Sequence, residues 1–190
     1  AILTTLIVFV LSKDGNKIVV ERLVLGGVAI SSLFGAIQAS LLLQAEDGRI
    51  QAALNWLIGS LNARGWQEIK FTALPILIAL CLGLFLYRQL NLLSLGDELS
   101  VSLGTSLFRS RCLIGAIATL LAACAVSIGG LIGFIGLIVP HFSRLLIGND
   151  FKYILPFSAV IGALTLSSAD LISRMGPIEI PVGIVTALLG

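Results

Sequence analysis

The stretch that decides the fold is "CLIGAIATLLAACAVSIGGLIGFIGLIVPHFS", residues 112–143, which contains no Asp, Glu, Lys or Arg. A membrane-spanning helix needs about 20 apolar residues, because the hydrocarbon core is about 30 Å thick and a helix rises about 1.5 Å per residue. This run is too long for one such helix. The glycines of "SIGGLIG", residues 127–133, lower helix propensity within it. We therefore expect one helix over residues 113–127 and a second over residues 131–147.

The composition of the whole chain agrees with a membrane protein. Its 190 residues are 57% hydrophobic and only 12% charged, whereas a soluble domain carries about 25% charged residues. Further apolar runs cover residues 23–45, 71–87 and 153–169, and the shorter runs 1–12 and 180–190 read as a helix missing its start and a helix missing its end. These runs predict an all-α, polytopic membrane helix bundle. The formal charge of +2 is too small to indicate a nucleic-acid partner.

The positions of the basic residues predict the orientation of the helices. Counting the runs alternately places three polar loops, residues 13–22, 88–111 and 144–152, on one side. These loops contain eight of the 12 basic residues: Lys13, Lys17, Arg22, Arg88, Arg109, Arg111, Arg144 and Lys152. Because basic residues concentrate in cytoplasmic loops, this side is predicted to be cytoplasmic.

Groups with catalytic or metal-binding chemistry are sparse in the sequence. The single histidine, His141, has no second histidine to complete a metal site, and the three cysteines read as small hydrophobic residues. No G-x-x-x-x-G-K-[ST] phosphate loop occurs, so ATP, if it drives transport, is bound by another subunit. Asp170 is the one candidate acid within the membrane, and Arg174 lies one helical turn later, where the two can pair. An ion-coupled carrier or an intramembrane enzyme would need more such groups.

The run at residues 23–45 carries a stripe of small side chains. Gly27, Ser31, Gly35 and Ala39 recur at every fourth position and therefore share one helix face. In lipid, small residues let a neighbouring helix approach closely. The stripe fits ordinary helix packing and also a face that lines a substrate path, and the sequence leaves both open.

The cytoplasmic segment "NLLSLGDELSVSLG", residues 91–104, predicts a short helix over residues 95–103. Ser94 stands three residues before Asp97, which is the spacing of a capping box, and Gly104 is placed to end the helix. The side chains of Leu95, Leu99 and Leu103 would then form an apolar ridge. The ridge either folds back onto the protein's own helices or docks into the groove of a partner.

Four motifs in this order resemble the permease subunits of the FecCD type. They are "NLLSLGDELSVSLG", "GFIGLIVPHFSRLLIG", "LPFSAVIGALTLSSADLISR" and "EIPVGIVTALLG". Such permeases belong to ATP-binding-cassette importers of ferric siderophores, haem and cobalamin. The resemblance implies a type II importer permease with an inverted repeat and about ten transmembrane helices, about six of which this chain covers wholly or partly. It implies a single permease domain over residues 1–190, in a multi-pass protein of the bacterial cytoplasmic membrane.

The resemblance also implies the partners. They are a second permease subunit, forming a homo- or heterodimer, two ATPase subunits that bind ATP and Mg²⁺, an extracytoplasmic substrate-binding protein, and membrane lipid. No cofactor, metal or catalytic residue is expected in this chain itself.

Individual residues acquire roles through the same resemblance. Residues 91–111 correspond to the loop that couples the permease to its ATPases, with Leu99 and Ser100 in place of two alanines of the family motif. Arg174 corresponds to an outward-facing arginine that meets the binding protein, and the small-residue stripe to part of the translocation path. The ATPase-coupling set is Leu95, Gly96, Asp97, Glu98, Leu99, Leu103 and Gly104. The structural motif at the cytoplasmic end of the eighth helix is Pro140, which would bend the helix, with His141 and Arg144.

Overall fold

The computed structural model describes most of the chain. The described residues are 2–14, 17–18, 20–45, 47–62, 64–175 and 180–188. Together they form ten helices and one small hairpin: α1 (Ile2–Leu11), β1 (Lys13–Asp14), β2 (Lys17–Ile18), α2 (Val20–Leu42), α3 (Asp47–Ile58), α4 (Trp66–Phe85), α5 (Tyr87–Ser94), α6 (Asp97–Ser102), α7 (Leu107–Gly129), α8 (Ile135–Ile147), α9 (Phe151–Arg174) and α10 (Val182–Leu188). The fold is thus the all-α bundle expected, with an antiparallel pair of two-residue strands between α1 and α2.

Four of the described helices are long and apolar enough to cross a membrane. They are Glu21–Leu42 within α2, and the whole of α4, α7 and α9; α8 is apolar but shorter. The predicted spans therefore correspond to real helices. Their ends differ from the prediction, because α7 and α9 extend beyond the apolar runs into polar sequence.

The long apolar run divides where the sequence predicted. Helix α7 ends at Gly129 and α8 begins at Ile135. Gly130 adopts a φ of 73°, a left-handed conformation that glycine accepts without steric cost. Phe134 also has a positive φ, 65°, which is rare for a bulky residue. These two residues stand at the ends of a five-residue break, residues 130–134. The predicted division into two helices is therefore confirmed, but α8 begins four residues later than predicted.

The helices pack as neighbouring pairs with small buried side chains between them. Helix α4 packs on α7, α8 on α9, α9 on α10, and α1 on α2, while α5 also contacts α9. Fully buried residues on the paired faces include Ala79 of α4, Ala169 of α9 and Ser143 of α8. Such small residues let helices approach closely in lipid. Most large apolar side chains instead face outward, as expected for surfaces in contact with hydrocarbon.

At the end of the bundle that the sequence predicts to be the outer one, three chain segments meet in backbone-to-backbone contact. The Ser60 N–H donates to the Gly129 carbonyl at 2.9 Å, and the Gly183 N–H donates to the Gly59 carbonyl at 3.0 Å. A Cβ added at Gly183 would overlap the Ile58 carbonyl oxygen. This outer junction, formed by residues 56–60, 129–131 and 183, therefore depends on the absence of side chains.

We predict that Gly183→Ala destabilises the protein. The added methyl group has to displace the backbone of Ile58, and overpacking of this kind costs about 1–3 kcal/mol. The midpoint of thermal unfolding of the purified full-length protein in detergent should fall by several degrees. Gly136→Ala in α8 is the matched control, because nothing lies within 4 Å of a Cβ there. Equal midpoints for the two variants would contradict the steric role of the outer junction.

Candidate functional site

The loop predicted to be cytoplasmic forms two short helices where the sequence predicted one. Helix α5 ends at Ser94 and α6 begins at Asp97, so the expected helix over residues 95–103 was wrong at its start. The Ser94 hydroxyl donates to the Asn91 carbonyl at 2.7 Å, inside α5, instead of capping α6. Gly96, with a φ of 96°, makes the turn between the helices and is the N-cap of α6. Gly104, with a φ of 84°, follows the end of α6 as predicted.

Ser100 attaches α6 to α5. Its side chain is fully buried, and its hydroxyl lies 2.7 Å from the Leu92 carbonyl oxygen and 2.6 Å from the Gly96 carbonyl oxygen. Its own carbonyl accepts a hydrogen bond from the Thr105 N–H at 3.0 Å. Ser100, predicted to replace an alanine of the family motif, thus ties α6 to the preceding helix through its hydroxyl.

An ion pair attaches the first turn of α6 to α7. Arg111 Nη2 lies 2.7 Å from Asp97 Oδ1, and both side chains are partly exposed. Exposed ion pairs of this kind contribute about 0–1 kcal/mol to stability. The main effect of the Asp97–Arg111 pair is therefore to orient α6 relative to α7. The Asp97 carboxylate also lies at the N-terminus of α6, where the helix dipole favours negative charge.

The predicted apolar ridge is exposed. Leu95, Leu99 and Leu103 present 53%, 56% and 59% of their surface to solvent. Glu98 beside them is also exposed. These leucines, which we call the α6 surface, do not fold back onto the helices of this chain. An exposed apolar surface on an element that is fixed from two sides is typical of a site that binds another protein.

A side-chain clamp joins α5 to the start of α9. Asn91 Nδ2 donates to Asp150 Oδ1 at 2.8 Å, and Asn91 Oδ1 accepts from the Phe151 N–H at 3.0 Å. Asp150 is the N-cap of α9 and accepts from the Lys152 N–H at 2.9 Å. The pKa of Asp150 is lowered, chiefly by the hydrogen bond from Asn91, then by the Lys152 N–H and the charge of Lys152. We call Asn91, Asp150 and the Phe151 N–H the clamp.

At the outer end of α9, Arg174 pairs with Asp170. Arg174 Nε lies 2.9 Å from Asp170 Oδ2, and Nη2 lies 3.2 Å from Oδ1, so the two contacts are bidentate. Both side chains line a cavity of about 390 Å³ together with Asn55, Ser60 and Arg64. The predicted pairing is confirmed, and it leaves Arg174 partly exposed at the cavity wall.

The remaining predicted residues lie on two other helices. Pro140 is within α8, which continues to Ile147, and the Arg144 guanidinium lies 5.6 Å from the centre of the Phe151 ring. His141 is exposed. Among the described residues no group of three or more His, Cys, Asp or Glu is arranged to hold a metal.

The small-residue stripe lies on α2. Ser31, Gly35 and Ala39 are exposed and Gly27 is half-buried. Its role in a translocation path stays a prediction.

Sequence reasoning missed the residues that hold the loop in place. Asn91 and Asp150 are 59 positions apart, and no local pattern links them. Asp150 alone offered a signal, because an aspartate directly before a helix is a strong N-cap. Ser100 and Arg111 were included in the loop but were given no role of their own.

Structural comparison defines the class of the protein. A solved inward-facing structure, of a transporter assigned to the metal-chelate ABC type, superposes on all of this chain with a TM-score of 0.93 and 33% identity, and the match covers 61% of that chain. The fold is therefore that of an ABC permease, and the protein is a multi-pass membrane protein. The model of the FecCD transport family matches residues 1–190, and the chain belongs to this family.

Curated relatives point to the same family. The chain is 41% identical to the Fe(3+)-citrate import system permease protein YfmE of Bacillus subtilis, over 100% of this chain and 57% of the relative. It is 39% identical to the hemin transport system permease protein HmuU of Yersinia pestis, over 97% of this chain and 55% of the relative. It is 38% identical to the cobalamin import system permease protein BtuC of Halobacterium salinarum, over 100% of this chain and 51% of the relative. The chain thus spans about half the length of these relatives.

We predict that the clamp weakens at low pH. A carboxyl group with a lowered pKa stabilises the fold at pH values above its ordinary pKa, about 3.9, and this stabilisation is lost as the pH falls through the lower pKa of the folded state. The Lys152 amide should therefore become severalfold less protected from hydrogen exchange once the pH falls below the pKa of Asp150 in the folded state. In Asp150→Asn the side-chain oxygen accepts the same hydrogen bond at every pH, so its protection should not change. Parallel pH profiles for the two proteins would contradict the prediction.

Proposed function

We propose that this chain forms part of the permease subunit of an ATP-binding-cassette importer, which carries a ferric siderophore or a related iron chelate across the cytoplasmic membrane. The names of the relatives support an importer, since all three are permease proteins of import or transport systems. Two of the three are named for iron-containing ligands, Fe(3+)-citrate and hemin. The substrate class follows from those names, and the chemistry of this chain does not select one chelate.

The single observation that carries the proposal is the α6 surface and its support. Leu99 within α6, and Leu95 and Leu103 on either side of it, are exposed on a segment that Ser100 and Arg111 hold in a defined position. A binding surface that is already ordered loses little conformational entropy when a partner docks. We propose that an ATPase subunit binds here in the helix-in-groove mode. Gly96, Asp97, Glu98 and Gly104 shape the two ends of the helix, and ATP and Mg²⁺ bind to the ATPase.

The other partners have their own surfaces. We propose that a second permease subunit, identical or homologous, faces the stripe of Gly27, Ser31, Gly35 and Ala39, and that the substrate path runs along this stripe. The extracytoplasmic binding protein docks at the cavity beside Arg174. Substrate is released from it, passes between the two permeases, and leaves when the ATP-driven movement of α6 opens the cytoplasmic side.

The ion-coupled carrier is the alternative that the charge distribution disfavours. A proton or sodium relay requires ionisable groups inside the bilayer. Among the described residues of α9, Asp170 lies one turn from the outer end and pairs with Arg174. Its carboxylate is thus neutralised at the membrane boundary and does not belong to a chain of relay groups.

The first test replaces the α6 surface. Glu98→Lys combined with Leu99→Ala should lower substrate-stimulated ATP hydrolysis or assembly with the ATPase by about thirtyfold, because truncating a central interface side chain costs about 2 kcal/mol. The affinity of the binding protein for its substrate should not change. Both quantities are measured on the full-length permease reconstituted with its ATPase and binding protein.

Two variants control this test. Leu164→Ala removes an equally large exposed leucine from the middle of the membrane-spanning helix α9 and should assemble normally. Asp97→Asn weakens the pair with Arg111 and separates a change in α6 orientation from a loss of direct contact. Normal assembly and uptake in the double variant at α6 would refute ATPase docking at this surface.

The second test concerns docking of the binding protein at Arg174. Arg174→Glu should slow association with the binding protein, because a charge at the rim of an interface acts mainly by steering the encounter. Added salt should slow association of the unchanged permease but not of this variant, since screening removes only the attraction that the charge supplied. Association rates are measured at low and high salt, with permease abundance as a control.

The Asp170–Arg174 pair supplies the matched variant. Asp170→Asn removes the carboxylate that neutralises Arg174, so association should become faster if the cation docks an acidic partner. If Arg174 serves only the internal pair, both variants lower the abundance of the permease and neither alters the association rate. That pattern would leave no docking role for Arg174.

A further inference from the structure

The clamp joins α5, which carries the coupling helix of the proposed function, to the start of α9. On the loop side, Ser100 ties α6 to α5, and Asn91 projects from the same α5. On the other side, Asp150 and Phe151 begin α9. Helix α6 is therefore connected to α9 through α5. Ser100 links α6 to α5, and Asn91 links α5 to α9.

Helix α9 is continuous from the clamp to the outer surface. Its 24 residues correspond to a length of about 36 Å, which spans the hydrocarbon core. At its far end lie Asp170, Ser173 and Arg174, which line the outer cavity. The Ser173 carbonyl also accepts a hydrogen bond from the Ile180 N–H at 3.2 Å, which connects α9 to the segment that leads into α10.

We propose that Asn91 is a positioning residue that makes the coupling helix and α9 move as one body, so that movement of α6 reaches the outer cavity through α9. This inference rests on the proposed function, because it assigns a route for the movement that the ATPase imposes on α6. Two hydrogen bonds to one helix start fix both the position and the rotation of α5 against α9. A single bond would leave that rotation free.

The chemistry of the clamp supplies a specific exchange experiment. Asn91→Asp places a carboxylate against the Asp150 carboxylate and removes the donor, so the contact becomes repulsive. In the double variant Asn91→Asp with Asp150→Asn, the new amide at position 150 donates to the new carboxylate at position 91. The other carboxylate oxygen still accepts from the Phe151 N–H. Both hydrogen bonds of the clamp are thereby restored with donor and acceptor exchanged. Asp150 Oδ1 accepts from both Asn91 Nδ2 and the Lys152 N–H in the unchanged protein, so an amide that turns its nitrogen toward position 91 gives up the bond to the Lys152 N–H.

The functional readout is uptake per ATP hydrolysed by the full transporter in proteoliposomes. Asn91→Ala and Asn91→Asp should lower this ratio at least fivefold, because α6 then moves without α9. The exchanged double variant should return it to within twofold of the unchanged protein. Asn149→Ala, at an exposed residue beside the clamp, is the matched control and should leave the ratio unchanged. An unchanged ratio in Asn91→Ala, or a double variant no better than Asn91→Asp, would overturn the proposal.

A second readout does not depend on transport. Spin labels at Ser102→Cys in α6 and Tyr153→Cys in α9, both exposed positions, report the distance between the two helices in full-length permease whose native cysteines are replaced. The distance distribution should broaden in Asn91→Ala and narrow again in the exchanged double variant. An unchanged distribution in Asn91→Ala would overturn the proposal. If the unchanged transporter shows no ATP-driven uptake, the proposed function fails, while the label distances still decide whether the clamp holds α6 to α9.

Discussion

The close approach of backbones at the outer junction is the constraint on which the arrangement of the bundle depends. Helix α3 ends at Ile58 and is followed by Gly59, which has a φ of 83°. The last carbonyls of α3 face the break between α7 and α8 and the first turn of α10. Carbonyls and N–H groups at helix ends have no partner within their own helix. In a membrane protein these groups cannot rely on water at every depth, so they must find partners in the chain. The junction satisfies them by bringing three helix ends into direct contact.

The two ends of the bundle are held by different kinds of interaction, with different consequences. At the outer junction the contacts are between backbone groups, and glycine is required because any side chain would fill the gap. At the cytoplasmic end the contacts are between side chains, namely Asn91 with Asp150 and Asp97 with Arg111. Backbone contacts of the first kind are insensitive to charge. The clamp depends on the charge of Asp150 and on the donor and acceptor of Asn91, so isosteric substitutions change it without adding bulk.

The division of the apolar run was predictable from sequence because it depends on local properties. Apolar length and glycine content decide where a membrane helix stops, and both are visible around Gly130 without knowledge of its neighbours. The start of α6 was not predictable in this way. Ser94 can cap a following helix or bond to a carbonyl of its own helix, and the choice depends on the turn at Gly96 and on the burial of Ser100 against α5. The clamp could not be predicted from local sequence at all, because Asn91 and Asp150 come together only after α5 and α9 have packed.

Pro156 lies within α9, only a few residues from the clamp. A helix that bends freely at this proline would not transmit movement from α5 to the outer cavity. A proline removes one hydrogen bond of the helix and its ring crowds the carbonyl four residues earlier, so it is a point where a helix can bend. Here the turns on both sides of Pro156 are fixed. Asn91 holds the N-terminus of α9, and Ser158 donates to the fully buried Ser143 of α8 at 3.0 Å. The weakened part of the helix therefore lies between two anchored turns, and a displacement of α5 acts on a segment that is held on both sides of the proline.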